Sequence, residues 1–101
     1  MVNAQQWLDE KYPVNRRSEK TELDISKGEV KKWLIHDSTL KGDLKLDGFI
    51  NLRILKCSSH KLTGLDLSEC KNLRELYCNN NELNNLNISG CTKLKKISDL
   101  C

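Results

Sequence analysis

The residues best suited to chemistry are the five cysteines and two histidines of the chain. Cys57 and His60 form a C-x-x-H motif, and Cys78, Cys70 or His36 would complete four soft ligands for zinc. The 21-residue repeat described below places His36, Cys57 and Cys78 in one row of adjacent strands, about 4.8 Å apart. A row is not the tetrahedron that structural zinc requires, so we predict no metal site.

The same thiols are the candidates for nucleophilic catalysis, which needs an exposed, activated thiol with a base within reach. The alternation of apolar residues predicts instead that Cys57 and Cys78 face the core. The sequence has no glycine-rich phosphate loop, no paired catalytic carboxylates and no HExxH motif. We therefore predict a protein that is not an enzyme and that has no catalytic residues and no cofactor.

The cysteine count also bears on the compartment. Stacked pairs, Cys57 with Cys78 or Cys70 with Cys91, would fall within the usual Cα range of a disulfide, but their Cβ vectors would run parallel. The count is odd, and the first residues have neither the basic start nor the apolar run of a signal peptide. We expect a cytoplasmic protein with free thiols, four of them buried and Cys101 reactive at a frayed end.

Length and charge limit the classes of partner. At 101 residues the chain is one domain at most, short for a large enzyme pocket, so a small-molecule ligand is not expected. No stretch approaches the roughly 20 apolar residues of a membrane helix, so no membrane partner is expected. The 17 basic and 14 acidic residues give a net charge of +3 and are mixed along the chain, which argues against nucleic acid.

The chain repeats itself with a period of 21 residues. Residues 44–64 match residues 65–85 at eight positions, and all but two of these are Leu or Cys. Leu23, Ile25 and Leu34 fall on the same columns one period earlier, although residues 27–40 match poorly. We predict about four repeats over residues 21–101, the first degenerate or shifted in register and the last truncated.

The repeat motif carries a resemblance. "LRELYCNNNEL" (residues 73–83) reads L-x-x-L-x-L-x-x-N-x-L with Cys78 in the third leucine position, and "LRILKCSSHKL" (residues 52–62) reads the same with Cys57. This resembles the leucine-rich repeat family, whose units have 20 to 29 residues. More narrowly, it is similar to the LDLSxC and LxCxxN repeats of fungal and bacterial proteins. The resemblance implies a protein-recognition scaffold.

The predicted fold class is therefore a leucine-rich repeat solenoid with parallel β-strands on the concave side and short irregular or extended convex segments. In "LRELYC", Leu76 and Cys78 alternate with Glu75 and Tyr77, which is the period of a half-buried strand. The second apolar pair of each unit, such as Leu65 with Leu67, would close the core from the convex side. Asn81 would satisfy backbone groups at the turn, and His60 in the same place predicts a looser turn.

Residues 1–20 are predicted to form a short N-terminal capping α-helix and a polar connector. Asn3 is suited to the N-cap, Trp7, Leu8 and Tyr12 recur at helical spacing, and Pro13 stops the helix.

The outward strand positions are the candidate partner-binding site, because they would form columns on a rigid sheet. We predict that they bind a protein or peptide, with Tyr77 as the aromatic anchor. The predicted residues are Trp33, Ile54, Lys56, Ser58, Glu75, Tyr77, Asn79, Lys96 and Ser98.

Two alternatives remain open. The chain could recruit a substrate for a catalytic domain, such as a kinase or ligase, in a larger protein. It could also bind nucleic acid through scattered lysines, a weaker hypothesis because these residues are interleaved with acids.

Overall fold

The computed structural model describes residues 1–32, 38–98 and 101. Short strands dominate this part of the chain. In chain order the elements are β1 (Val2–Asn3), α1 (Ala4–Lys11), a 3-10 helix (Val14–Glu19), β2 (Glu22–Asp24), α2 (Lys27–Val30), β3 (Leu40–Lys45), β4 (Ile54–Lys56), β5 (Lys61–Asp66), β6 (Glu75–Tyr77), β7 (Asn85–Asn87) and β8 (Lys96–Ile97).

Successive strands alternate between two parallel sheets. The first sheet has the order β1-β3-β5-β7, and the second has the order β2-β4-β6-β8. In the second sheet Leu55 pairs with Leu76 and Leu76 with Ile97, so neighbouring strands are 21 residues apart. Leu65 pairs with Leu86 at the same spacing in the first sheet. The repeat period is therefore the distance along the chain between hydrogen-bonded neighbours.

The predicted fold class is wrong. A leucine-rich repeat solenoid with one concave sheet was expected, whereas the described residues form two four-stranded parallel sheets. The segment expected to be an irregular or extended convex wall pairs as a ladder, in which the Leu67 N–H donates to the Asn87 carbonyl at 2.8 Å. The physical reason is that the apolar pair of each unit, such as Leu65 and Leu67, has the alternate spacing of a half-buried strand.

Inward residues from both sheets form one buried cluster. Leu65 and Leu67 of the first sheet and Leu55 and Leu76 of the second are at most 2 % exposed. Phe49, in the turn after β3, is fully buried in the same cluster. The alternation of Leu76 with Glu75 and Tyr77 is as predicted, because only Leu76 is fully buried.

The N-terminal helix α1 is present, and Asn3 caps it as predicted. The Gln6 N–H donates to Asn3 Oδ1 at 2.9 Å, and Trp7 and Leu8 are buried. Helix α1 contributes to the first sheet as well. The Gln5 side-chain amide accepts from the Lys45 N–H at 2.7 Å and donates to the Lys45 carbonyl at 3.2 Å, so it completes the edge of β3 beyond β1.

The connector differs from the polar segment that was predicted. It forms the 3-10 helix Val14–Glu19, and Arg17 within it is 2 % exposed. The Arg17 guanidinium donates to the carbonyls of Tyr12 and Asp47 at 2.8 and 2.9 Å and to Asp9 Oδ1 at 2.7 Å. It also lies 5.1 Å from the centroid of the Phe49 ring. Arg17 is therefore a buried residue whose hydrogen bonds connect α1 to the turn after β3.

The first repeat is shifted in register, which is one of the two alternatives that the sequence left open, and the constant 21-residue alignment of Leu23 with Leu44 is wrong there. Leu23 pairs with Leu55 of the second sheet, and so it does not lie in the column of Leu44. Glu22 pairs with Ile54, 32 positions later instead of 21. Helix α2, which follows β2, lengthens the connection, and this is why a constant period fails there.

Both ring nitrogens of the buried His60 are hydrogen-bonded at its turn, so the expectation of a looser turn is wrong. Asn81 Oδ1 accepts from the Leu62 N–H at 3.0 Å, and its amide donates to the Cys57 carbonyl at 2.9 Å. His60 Nδ1 accepts from the Leu40 N–H at 3.0 Å, and Nε2 lies 2.7 Å from the Ile25 carbonyl. An imidazole therefore fills the role of an amide, with one acceptor and one donor.

Candidate protein-binding surface

The outer face of the second sheet carries the central residues of the predicted site. Strands β4, β6 and β8 direct Leu55, Leu76 and Ile97 toward the core side, and the residues on either side of them alternate outward. The Tyr77 surface is defined here by Ile54, Lys56, Glu75, Tyr77 and Lys96.

Tyr77 lies between two lysines. Lys56 Nζ is 5.8 Å and Lys96 Nζ is 5.5 Å from the centroid of its ring, both within the range of a cation–π contact. The Tyr77 hydroxyl donates to Glu75 Oε1 at 2.5 Å. The ring is half-buried and held at its faces and at its hydroxyl, so the aromatic anchor is already ordered in the free protein.

Strand pairing brings together five of the nine predicted residues. Ile54 pairs with Glu75 and Glu75 with Lys96, while Lys56 pairs with Tyr77. These pairs confirm part of the columns predicted from the repeat; Trp33 and Ser98, which the repeat also placed in these columns, are not among the pairs.

The other four predicted residues differ from this group. Ser98 is half-buried, and its hydroxyl accepts from the Cys78 N–H at 2.9 Å, so it serves the backbone of the sheet. Ser58 and Asn79 follow their strands, and their carbonyls accept from the Lys27 and Ser59 N–H groups. Trp33 lies outside the described residues.

Two acidic residues extend the Tyr77 surface and were missed. Glu22 and Asp24 pair with Ile54 and Lys56, so Glu22 takes the place beside Ile54 that the repeat predicted for Trp33. Together with Leu23 they line a shallow groove against β4. The alternation in "ELDI" (residues 22–25) is the signal that could have identified β2 as a strand.

A second concave region was not predicted from the sequence. It is an open groove of about 630 Å³ on the first sheet, with Asp43, Asp66, Asn85 and Asn87 in its lining. Asp43 Oδ1 accepts from the Thr63 hydroxyl at 2.7 Å. A Cβ at Gly64 would lie only 2.7 Å from the same oxygen, which is too close for two atoms that are not bonded. Gly64 thus makes room for the Asp43 carboxylate, and that polar group is engaged within the protein.

The cysteines do not form the five free thiols that were predicted. Cys78 and Cys101 form a disulfide, whereas Cys57, Cys70 and Cys91 are free and buried. Burial raises the pKa of Cys57 and of Cys70 to about 12, so neither is an activated nucleophile. The pairing differs from both stacked pairs considered from the sequence because Cys101 belongs to the segment that follows the last strand.

Within residues 1–32, 38–98 and 101, no group of three or more His, Cys, Asp or Glu side chains is placed to hold a metal ion. His36, one of the zinc ligands considered, lies outside that part of the chain. No helix in the same residues has the length and apolar character needed to cross a membrane.

Comparison of the chain with protein-family models, with curated proteins and with solved structures finds no match. The resemblance of the repeat motif to the leucine-rich repeat family stays a prediction from the sequence.

Proposed function

We propose that this chain is a protein-interaction module that binds a protein or peptide through the Tyr77 surface. The observation that carries the proposal is the ordered Tyr77 ring between Lys56 and Lys96, with its hydroxyl on Glu75. Aromatic and basic residues are enriched at protein interfaces, and a preordered side chain loses little conformational entropy when it is buried by a partner.

The charges around Tyr77 indicate what such a partner offers. Lys56 and Lys96 lie at the ring, and Glu22 and Asp24 lie on the neighbouring strand β2. Glu75 also lies at the ring and accepts from the Tyr77 hydroxyl. The surface therefore has two lysines and one acid at the ring and an acidic flank on β2, which favours a ligand with acidic groups near the lysines and basic groups to one side. Ile54, half-buried between these regions, offers an apolar contact.

The other hypotheses make partly different predictions. Recruitment of a substrate for a catalytic domain elsewhere would use the same surface and would depend on Tyr77 in the same way. Nucleic-acid binding would depend on lysines and fall steeply with salt. The Cys78–Cys101 disulfide is typical of oxidising compartments, and it argues against the cytoplasmic location that was predicted from the sequence.

The test is capture of partners from a native lysate by the wild-type chain and by Tyr77→Ala. Loss of a buried aromatic anchor is expected to weaken binding by about 1–2 kcal/mol, or roughly tenfold. Lys41→Ala is the matched control, since Lys41 is an exposed residue of β3 in the first sheet. Captured material that is sensitive to nuclease and salt but indifferent to Tyr77→Ala would contradict the proposal.

A further inference from the structure

The apolar core is open at the end of the molecule formed by β7 and β8. In the preceding repeat, five inward leucines are at most 2 % exposed: Leu62, Leu65, Leu67, Leu73 and Leu76. Their counterparts 21 residues later form what we call the C-terminal face: Leu83, Leu86, Ile88, Leu94 and Ile97. The first four are half-buried, and Ile97 is 42 % exposed.

Among the described residues, no strand pairs with the outer side of β8. The Arg53 carbonyl accepts from the Arg74 N–H, and the Arg74 carbonyl accepts from the Lys95 N–H, each at 2.8 Å. Continuing this pattern, the Lys95 carbonyl on the outer side of β8 would accept from a further strand. At the opposite end of the first sheet, β1 and the Gln5 amide close the edge of β3. In the part of the chain that the structure describes, no strand or side-chain amide pairs with the outer edge of β8 in the same way, so β8 is an edge strand with unpaired backbone groups.

The other edge of the second sheet shows which kind of strand the sheet accepts. There β2 places Glu22, Leu23 and Asp24 beside Ile54, Leu55 and Lys56 in parallel register. An apolar residue thus continues the row of Leu55, and an acidic residue faces Lys56. Ile97 belongs to the same row as Leu55, and Lys96 to the same row as Ile54.

Charge favours an acidic partner strand over a second copy of this chain. Residues 83–98 contain Lys93, Lys95 and Lys96 and no acidic residue, and these three charges equal the net charge of the whole chain. Two copies joined through this face by a two-fold axis would bring the lysines together. The acidic strand β2 of another copy would not cover Ile97, because Leu23 is 3 % exposed in its own core.

We propose that β8 is a second binding site, which adjoins the Tyr77 surface and shares Lys96 with it, and which takes an extended segment of a partner protein by β-strand addition. The segment alternates apolar and acidic residues. Its backbone pairs with β8, its apolar side chains cover Ile97, and its carboxylates lie on the outer face beside Lys96. Main-chain hydrogen bonds supply affinity in this mode of recognition, and alternate side chains supply specificity.

The probe is a fluorescent peptide with the alternating sequence of β2, "TELDIS", and its binding is followed by fluorescence anisotropy. We expect saturable binding to the wild-type chain, and about tenfold weaker binding to Ile97→Lys, because the apolar contact is lost and a fourth charge is added. Ile50→Lys is the matched control, since Ile50 is 48 % exposed in the turn between β3 and β4. Circular dichroism verifies that both variants fold.

Two altered peptides test the mode of binding. Replacement of both acids by lysine is expected to abolish binding, and methylation of alternate backbone amides on the pairing edge is expected to do the same. Equal affinity of Ile97→Lys and Ile50→Lys, or no loss with either altered peptide, would overturn the proposal. A wild-type dimer in sedimentation that Ile97→Lys converts to a monomer would also overturn it, because the occupant would then be a second copy.

Discussion

His60 is a buried side chain that the structure holds in one protonation state. A carbonyl can only accept, so Nε2 carries the proton that bonds Ile25, and Nδ1 accepts from the Leu40 N–H. Burial lowers the pKa of His60, and the nearby Lys27 lowers it further, although the bond to the Ile25 carbonyl acts in the opposite direction. The imidazole is therefore neutral in the folded state.

This lowered pKa predicts a loss of stability in mild acid. Below a pH of about 6.5 the unfolded chain protonates His60 while the folded chain resists it, so the free energy of unfolding falls as the pH drops toward the lowered folded pKa. Above that pH the contribution is complete. We expect His60→Asn, which keeps a donor and an acceptor, to remove this component in urea unfolding measured at about pH 7 and about pH 5. The same pH dependence in both proteins would contradict the prediction.

Apolar contacts and the hydrogen bonds of one buried side chain, Arg17, hold the N-terminal helices to the first sheet. Arg17, from the 3-10 helix, bonds Asp9 within α1 and the Asp47 carbonyl after β3. The hydrogen bond from Arg17 is the main cause of the lowered pKa of Asp9. The 3-10 helix therefore connects α1 to the first sheet through hydrogen bonds that its polar sequence does not suggest.

Arg17→Ala is expected to destabilise the protein by roughly 2 kcal/mol or more, because a buried side chain is removed and its part-buried hydrogen bonds to the carbonyls of Tyr12 and Asp47 are lost. Arg16→Ala is the control, since the Arg16 side chain is 70 % exposed and pairs with Glu19 at 3.2 Å. Its effect is expected to stay below about 0.5 kcal/mol. Urea unfolding of the two variants measures the difference, and equal stabilities would show that the hydrogen bonds of Arg17 do not stabilise the fold.

The cysteines report on the molecule as a whole. Cys57, Cys70 and Cys91 lie in the core, where the Cys70 and Cys91 thiols donate to the carbonyls of Leu46 and Leu67 in the preceding repeat. The Cys78–Cys101 disulfide joins β6 to the end of the chain across 23 residues. A loop of that length stabilises a fold by roughly 3 kcal/mol in the chain-entropy model.

This arrangement predicts the number of reactive thiols. Without reductant, three thiols are expected to react in denaturant and none readily in the folded protein, because the free cysteines are buried and have raised pKa values. With reductant, all five are expected to react in denaturant. Cys101→Ser frees Cys78 and is expected to give four without reductant. Five reactive thiols in the unreduced wild type would exclude the disulfide.

Part of this structure was predictable because it depends on residues close together in the sequence. The alternation around Leu76 predicts which side of β6 is buried, and Asn3 marks the start of α1. The 21-residue period predicts the pairing of Ile54 with Glu75 and of Glu75 with Lys96. These residues define most of the candidate site, and each follows from local backbone geometry or from the constant 21-residue period of the central repeats.

The tertiary structure alone decided the features that depend on where distant segments meet. The ladder of the first sheet, which includes Leu65 and Leu67, forms because the next repeat places a strand beside them. The spacing of an apolar pair shows that a strand is possible there but does not show that a partner strand is present. The register of β2 depends on the longer connection between β2 and β4. Arg17 can be buried because its guanidinium finds carbonyl acceptors 5 and 30 positions away in the chain. Cys101 reaches Cys78 only because β8 is paired with β6. Local sequence determined the strands and their buried sides, and the contacts among them determined two sheets, a disulfide and an open edge.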